Sequence, residues 1–363
     1  MRKQIFRFGE NKRIWSGERL IFICGLLLFC TFILLQLAAR NISGFGEWYA
    51  VTVYPILEGS VGRFFGLFPF SVSEFLLYGI ISGFLVYGLS HLIQWKKILN
   101  RGFLLVAALL FVYTINCGIN YYRHPFSQFL SYKTRKYSTQ ELKTLLGELT
   151  NQVNLAQAER IGPDETDIIT LSQIDVNAES VKAMEKLGAQ YPMLGGFYPK
   201  PKALFFSEVL SYQQLSGIYS PFTIEANYNG DMTPYNIPHT VCHELSHLKG
   251  FMREDEANFI GFLACIGSDN AEFRYSGYLS AWIYAGNALA VYDRESYSDF
   301  WRLLNEDTKK ELLENSAFWE RFDSKAAEVS EALNDTYLKV NSQTDGVKSY
   351  GRVVDLLLGW FHQ

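Results

Sequence analysis

The sequence has little charge, little cysteine and no basic excess. Charged residues make up 19% of its 363 residues and the formal net charge is −4, whereas about a quarter of a typical soluble protein is charged. This balance provides no basic surface for nucleic acid, so we expect no nucleic-acid partner. The five cysteines form no CxxC pair, which argues against both a disulfide framework and a cysteine-based zinc knuckle.

The charges that are present are unevenly placed, because most of them follow residue 122. Three long apolar runs without charge come before that point, and each is about long enough to cross a hydrocarbon core of roughly 30 Å. We therefore predict three membrane spans within residues 20–122, a short segment 1–19 before them and a domain over residues 123–363 after them. The runs lie between Arg19 and Arg40, between Glu74 and His91, and over residues 102–122.

Loop charges predict how these spans are oriented. The first 19 residues carry six basic side chains, and Lys96, Lys97 and Arg101 lie close together before the third run. The loop between the first two runs has only Arg63. Because basic loops stay in the cytoplasm, we expect a multi-pass cell-membrane protein with a cytoplasmic N-terminus and an extracytoplasmic domain.

The domain after the spans is predicted to be mostly helical. Ser138 and Glu141 form a capping box at the start of an amphipathic helix. Residues 194–230 are instead rich in glycine and proline between short aromatic and β-branched runs, which indicates a few strands. Helical patterning resumes near residue 238 and continues to the C-terminus. The fold class expected for the domain is therefore mostly α, with a small α+β part.

The strongest chemical signal is the pentapeptide His243-Glu244-Leu245-Ser246-His247. On a helix, residues four apart lie on one face, so both imidazoles can bind one Zn²⁺ while Glu244 acts as the general base on water. The helical context is favourable, because no helix breaker falls inside the motif and Gly250 follows it. About 0.01 such motifs are expected by chance in a chain of this histidine content.

A catalytic zinc site usually takes three protein ligands, so one more is needed. We predict Glu254 as the third metal ligand and keep Glu256 in reserve, although acidic residues at a helix start also complement the helix dipole. Asn258 lies four residues after Glu254 and is expected to orient a ligand by a hydrogen bond. His239 is expected in the first turn of the motif helix, as a surface residue or as a group behind the ligands.

These residues resemble the zincin metallopeptidases whose third ligand is a glutamate, the gluzincins. In that group the glutamate begins a helix and an Asp or Asn follows four residues later, as Glu254 and Asn258 do, although the spacing here is much shorter. Most of the chain resembles more closely a bacterial membrane-protein family catalogued as domain of unknown function 3810. That resemblance includes the three spans, the segment HTVCHELSHLKGFMREDEANFIGFLAC and the terminal DGVKSYGRVVDLLLGW.

The resemblance implies a zincin-like fold for the domain after the three-span helical membrane region. In zincins an edge strand beside the metal helix pairs with the substrate backbone. Residues 222–227 are the candidate for that strand, and an ordinary sheet strand is an equal alternative. A donor to the developing oxyanion is also expected, and the candidates of suitable chemistry are Tyr275, Tyr278, Tyr350 and Arg352.

The expected function is that of a membrane-anchored zinc metallopeptidase acting on a peptide or protein substrate. Zn²⁺ would be bound by His243, His247 and Glu254, with Glu244 as base and then acid. The alternative is a non-catalytic sensor or scaffold that is tethered to the membrane and binds peptides or cell-envelope material. A structural zinc site has no need of Glu244, however, and a transporter is disfavoured because the cores of the spans carry no charge.

Overall fold

The computed structural model describes residues 2–132, 135, 137–160, 171–341 and 352–362. This part of the chain is mostly helical and includes a small sheet, as predicted. The strands are β1 Lys202–Ala203, β2 Gly217–Ser220 and β3 Glu225–Tyr228. The α-helices are α1 Arg2–Asn41, α2 Phe45–Thr52, α3 Tyr54–Leu57, α4 Arg63–Gly66, α5 Val72–Ser90, α6 Trp95–Asn116, α7 Thr139–Glu159, α8 Val176–Gln190, α9 Glu208–Tyr212, α10 Asn236–Leu248, α11 Glu254–Ile266, α12 Ala271–Tyr292, α13 Arg294–Leu303, α14 Glu306–Glu320, α15 Lys325–Val340 and α16 Val353–Phe361.

Three helices are long and apolar enough to cross a membrane, which supports the predicted membrane association. They comprise Gly17–Asn41 of α1, all of α5, and Leu92–Asn116, which includes α6. Leu34 of α1 and Leu85 of α5 are each more than 60% exposed. Long helices with many exposed apolar side chains are unfavourable in water and suit contact with lipid. The third helix ends at Asn116 rather than at the predicted Tyr122, because Gly118–Tyr122 forms a 3₁₀ helix.

Local sequence signals account for several helix boundaries. The Ser138 side chain accepts a hydrogen bond from the main-chain N–H of Glu141, and the Glu141 carboxylate accepts one from the Ser138 N–H. This is the predicted capping box, and it begins α7. Ser71 accepts from the N–H of Glu74 and begins α5 in the same way. Gly250, with φ of +82°, takes the left-handed conformation that ends α10.

The hydrophobic core lies between the helices that follow the membrane region. Side chains of α7, α8, α10, α11, α12 and α16 form one large buried cluster. Leu245 and Leu248 of α10 are fully buried in it. The motif helix is therefore held on several sides by packing. Such packing fixes helix orientation more firmly than helix propensity does.

The core also includes residues from before the predicted boundary at residue 122. Cys117 and Tyr121 belong to the large cluster. The hydroxyl of Tyr54, in the loop between the first two apolar helices, donates to the main-chain oxygen of Leu248 at 2.9 Å. The division into segments 1–19, 20–122 and 123–363 stays a prediction, and the packing joins the last two segments closely.

The sheet has the order β1-β3-β2. β3 lies in the centre, parallel to β1 and antiparallel to β2, with Ser220 opposite Glu225. The prediction of an edge strand over residues 222–227 is therefore wrong, because residues 221–224 form the hairpin loop and the following residues are central. Ile224 closes that loop at φ of +53°, an uncommon conformation for a β-branched residue, with its side chain fully buried. Among the described strands, β2 is the edge strand next to α10.

Candidate metal centre

The two histidines of the motif lie on one face of α10. They are four residues apart, and their ring centroids are 4.6 Å apart. The turn at Gly250 reverses the chain, so α11 packs back against α10. Glu254 is the first residue of α11, and the reversal brings its carboxylate to both imidazoles.

His243, His247 and Glu254 present one ligand atom each to a common point. These atoms lie within 4.8 Å of one another. The Nε2 atom of His243 is 3.3 Å from Oε2 of Glu254, and the Nε2 atom of His247 is 3.6 Å from Oε1. Donors bound tetrahedrally to one Zn²⁺ at about 2.0–2.2 Å lie roughly 3.3 Å apart. The distances from Glu254 to the two histidines are therefore close to those expected around a zinc ion.

The other ring nitrogens of the two histidines are held by acceptors. Oδ1 of Asn258 lies 2.7 Å from Nδ1 of His243, and the main-chain oxygen of Phe251 lies 2.8 Å from Nδ1 of His247. Because an oxygen of this kind can only accept, each Nδ1 carries a proton, and Nε2 is the ring atom that each histidine presents to the common point. Tyr284 donates to the same Asn258 oxygen at 2.9 Å, which fixes the orientation of the amide.

Burial and mutual contact shift the pKa values of His243, His247 and Glu254. Burial lowers the pKa of His247 to about 4, so this imidazole is neutral. Burial also lowers the pKa of His243, but the hydrogen bond and charge of Glu254 outweigh it and the pKa lies above its usual value. Burial raises the pKa of Glu254, whereas the two histidines lower it, and the net shift is downward. The donors thus retain a carboxylate that a bound cation would neutralise.

Glu244 lies next to the triad and is almost fully buried. Burial raises the pKa of its carboxyl to about 8, although a hydrogen bond from the main-chain N–H of Tyr219 lowers it in part. Within the described residues, Oε2 has no hydrogen-bond partner. A buried carboxylate oxygen without a partner is costly, and this one borders the cleft in which the triad lies.

The cleft that contains these side chains has a volume of about 1340 Å³. Its floor includes the triad, Glu244 and His239 of α10, and its walls come from β2, α12, α14 and α15. Tyr113 and Cys117, at the end of α6 and just after it, also line it. The size and the mixture of apolar and polar walls suit an extended peptide.

Two further predicted residues near the motif, His239 and Glu256, are not among the three converging donors. His239 is buried and not on the surface; its Nε2 atom is 3.0 Å from the main-chain oxygen of Asn258, and burial lowers its pKa to about 4. Glu256 is also buried but lies outside the triad. Its carboxylate accepts from the N–H of Phe126 at 3.0 Å. Of the two candidates for the third ligand, the structure brings Glu254 to the histidines.

The predicted oxyanion donors are not brought to the cleft in the described part of the chain. The hydroxyl of Tyr275 donates to Glu311 and lies 3.2 Å from the hydroxyl of Thr308, and Tyr275 does not line the cleft. Tyr278 packs against Phe262, and Nε of Arg352 lies 3.5 Å from Asp255. Tyr350 lies outside the described residues.

Sequence reasoning missed three contributors to the site. Tyr284 orients Asn258, Tyr219 donates a main-chain N–H to Glu244, and Gly217 leaves room for that carboxylate. A Cβ atom at Gly217 would lie 2.6 Å from Oε1 of Glu244. None of these residues is close to the motif in sequence, so only the packing of α12 and β2 against α10 reveals them.

The comparisons with known proteins assign a family without a function. A family model described as "Protein of unknown function (DUF3810)" matches residues 49–358. Neither the curated proteins nor the solved structures contain a match. The matched region includes α5, α6 and all of the site residues described above. The chemistry must therefore be argued from the geometry of the site.

Proposed function

This chain belongs to the family of unknown function DUF3810, and from the site within the shared region we propose that it is a membrane-anchored zinc metallopeptidase with a zincin-like catalytic domain. The observation that carries the proposal is the combination of three converging donors with a buried carboxylate beside them, one oxygen of which has no hydrogen-bond partner among the described residues. His243, His247 and Glu254 would bind Zn²⁺. When bound there, zinc lowers the pKa of water and polarises a carbonyl group.

Glu244 is the group that moves the proton. Its carboxylate accepts a proton from the attacking water and then delivers it to the amine that leaves when the peptide bond breaks. The N–H of Tyr219 orients one side of the carboxylate, and burial shields it from bulk water. The partnerless Oε2 is the oxygen available for this transfer.

β2 is proposed to position the substrate. It pairs with β3 on one side only. On its other edge the N–H of Tyr219 is bound by Glu244, and the remaining main-chain groups of that edge are proposed to pair with an extended peptide. Gly217, at the start of β2, is in contact with Glu244. A peptide paired with β2 is thereby placed across the catalytic carboxylate.

The rival function is a non-catalytic membrane-tethered sensor or scaffold with a structural zinc. The buried Glu244 argues against it, because a purely structural site would gain nothing from a buried carboxylate oxygen without a hydrogen-bond partner next to the metal. We also propose that the domain faces away from the cytoplasm, from the basic N-terminal segment and the basic residues at Lys96, Lys97 and Arg101.

The test uses the full-length protein, metal analysis and a peptide library. Wild type and Glu244→Gln are expected to bind about one zinc per chain, whereas His243→Ala, His247→Ala and Glu254→Ala lose it and Glu256→Ala keeps it. Cleavage of the library by Glu244→Gln should fall by about 10²–10⁴-fold, the usual contribution of a general base. Glu208→Gln, an exposed glutamate on α9, is the matched control and should cleave normally. A zinc-loaded wild type that cleaves nothing would leave the scaffold reading in place.

A further inference from the structure

We infer that the substrates of this site are polypeptide segments anchored in the same membrane, cleaved within a few residues of the point where they leave it. The inference rests on the proposed function and adds the class of substrate. It follows from the way in which the sheet beside Glu244 is joined to the ends of two apolar helices.

The first joint is at the end of α6. Asn116 is the last residue of that helix, and its side-chain amide donates to the main-chain oxygen of Pro221 at 2.6 Å. The main-chain oxygen of Asn116 accepts from the hydroxyl of Tyr219 at 3.1 Å. Tyr219 is in β2, and its ring centroid is 6.5 Å from that of His247. The Tyr219 side chain therefore contacts the last residue of α6 and lies next to the proposed metal ligand His247.

The second joint is at the start of α5. The N–H groups of Val72 and Ser73 donate to the carboxylate of Glu225 at 3.2 and 2.8 Å. A carboxylate at a helix N-terminus is favoured by unpaired N–H groups and by the helix dipole. Glu225 is the first residue of β3 and pairs with Ser220 of β2. The end of the β2–β3 hairpin that contains Ser220 and Glu225 is thus hydrogen-bonded to both α5 and α6.

A third contact indicates where the membrane interface lies relative to the sheet. Phe205 and Phe206 follow β1 and are 72% and 50% exposed, and their rings contact Phe75 and Tyr78 in the first two turns of α5. The carboxylate of Glu74 accepts from the N–H groups of both residues, at 2.8 and 2.9 Å. Exposed aromatic rings beside an apolar helix end are typical of the membrane interface. The sheet therefore lies directly at that interface.

The third contact also locates the Gly217 end of β2. Gly217 is opposite Tyr228, and Ala203 of the parallel strand β1 also pairs with Tyr228, so Phe205 and Phe206 lie just beyond this end of the sheet. Glu225, at the other end, accepts from Val72 and Ser73, so both ends of the sheet contact the first two turns of α5. Glu244 contacts Gly217 and accepts from the N–H of Tyr219, so it lies at the same level as the sheet. The scissile bond accordingly lies within a few residues of the membrane.

The cleft also extends to the end of α6. Tyr113 and Cys117 line it together with Tyr337 of α15. On its β2 side the rim carries Ile218 and Phe222, both partly exposed. Apolar side chains at this position suit a segment that has just left the lipid. A cleft made for free peptides in water has no need to extend to the membrane helices.

The test compares two anchored substrate libraries in liposomes that contain full-length protein. In one, short randomised segments directly follow a polyleucine transmembrane helix. In the other, a spacer of about 20 Gly/Ser residues separates the segments from the same helix by about 25 Å on average. Both libraries are confined to the membrane, so the spacer changes the distance and leaves the surface concentration comparable.

Wild type is expected to cleave the directly attached library at least about 10-fold faster than the spaced one, with cuts in the first few residues after the helix. A tenfold ratio corresponds to about 1.4 kcal/mol. Equal or faster cleavage of the spaced library would overturn the inference while leaving the peptidase proposal intact. Cleavage of neither library by zinc-loaded protein would overturn the proposed function and this inference together.

Binding is measured separately in Glu244→Gln, with a photo-cross-linking amino acid at position 222. Adducts are expected mainly with the directly attached library. Equal adduct yields from the two libraries would contradict the inference, and this result would not depend on whether the protein cleaves peptides.

Discussion

At the scale of single residues, Asn258 is the group on which the orientation of the site depends. Its Oδ1 atom accepts from both His243 and Tyr284. The sequence predicted that Asn258 would orient a ligand by a hydrogen bond, because it follows Glu254 by one helical turn. It could not indicate Tyr284, which is 26 residues further along and reaches the site only through the packing of α12 on α11.

Asn258→Ala is expected to weaken zinc binding by about 10–100-fold, the usual cost of removing a group that orients a histidine ligand. Asn258→Asp retains an acceptor for Nδ1 and should restore most of the affinity. Competition with a chromophoric chelator measures both. Equal affinities for wild type and Asn258→Ala would show that the amide does not orient His243.

Gly217→Ala tests whether the position of Glu244 matters. The added Cβ would lie 2.6 Å from Oε1 and 2.8 Å from Cγ of Glu244, so the carboxylate must move. We expect peptide cleavage to fall by about 10–100-fold, because a small misplacement of a catalytic group is costly, while zinc content stays unchanged. Gly59→Ala is the matched control, since its Cβ meets no atom within 4 Å.

At the scale of elements, the helices were more predictable than the strands. Apolar periodicity, the Ser138 capping box and Gly250 located α7, α10 and α11 within a few residues, since these signals are local. The order of the sheet depends on pairing between distant segments, so residues 222–227 were wrongly assigned to an edge strand. Glu225 shows why: its role is to accept from the start of α5, 152 residues earlier, and no local pattern encodes that contact.

Glu225→Gln is expected to lower the free energy of unfolding by about 3–5 kcal/mol. Glu225 forms an ion pair with Lys202, and both side chains are at least 95% buried, so the substitution leaves a buried ammonium without its counter-charge. Asp299→Asn removes an exposed ion pair with Arg302 and should cost less than about 1 kcal/mol. Thermal unfolding in lipid nanodiscs compares the two, and equal shifts would contradict the structural role of Glu225.

At the scale of the whole molecule, metal binding and stability should be linked. The three donors come from two helices that meet only in the folded protein, so a zinc ion held by them would bind the native state alone. The sequence could predict the donor set because the motif and Glu254 are close together along the chain. It could not predict that the site is placed against the membrane helices.

Removal of zinc by a chelator is expected to lower the stability of wild type by about 4 kcal/mol when zinc is present at 1,000 times its dissociation constant. His243→Ala should show no further loss on chelation, because it has no zinc to release. Calorimetry with and without the chelator checks both. A chelator effect of the same size in His243→Ala would place the stabilising metal elsewhere.

The contact between Tyr54 and the motif helix has a practical consequence for any truncated form of this protein. The Tyr54 hydroxyl caps the main-chain oxygen of Leu248 and lies 2.9 Å from the hydroxyl of Tyr219. A fragment that starts after residue 122 would lose this side chain together with Asn116 and the N–H groups that Glu225 accepts. Cutting the chain there would expose side chains that these contacts now bury, so we expect a fragment that starts after residue 122 to be unstable on its own.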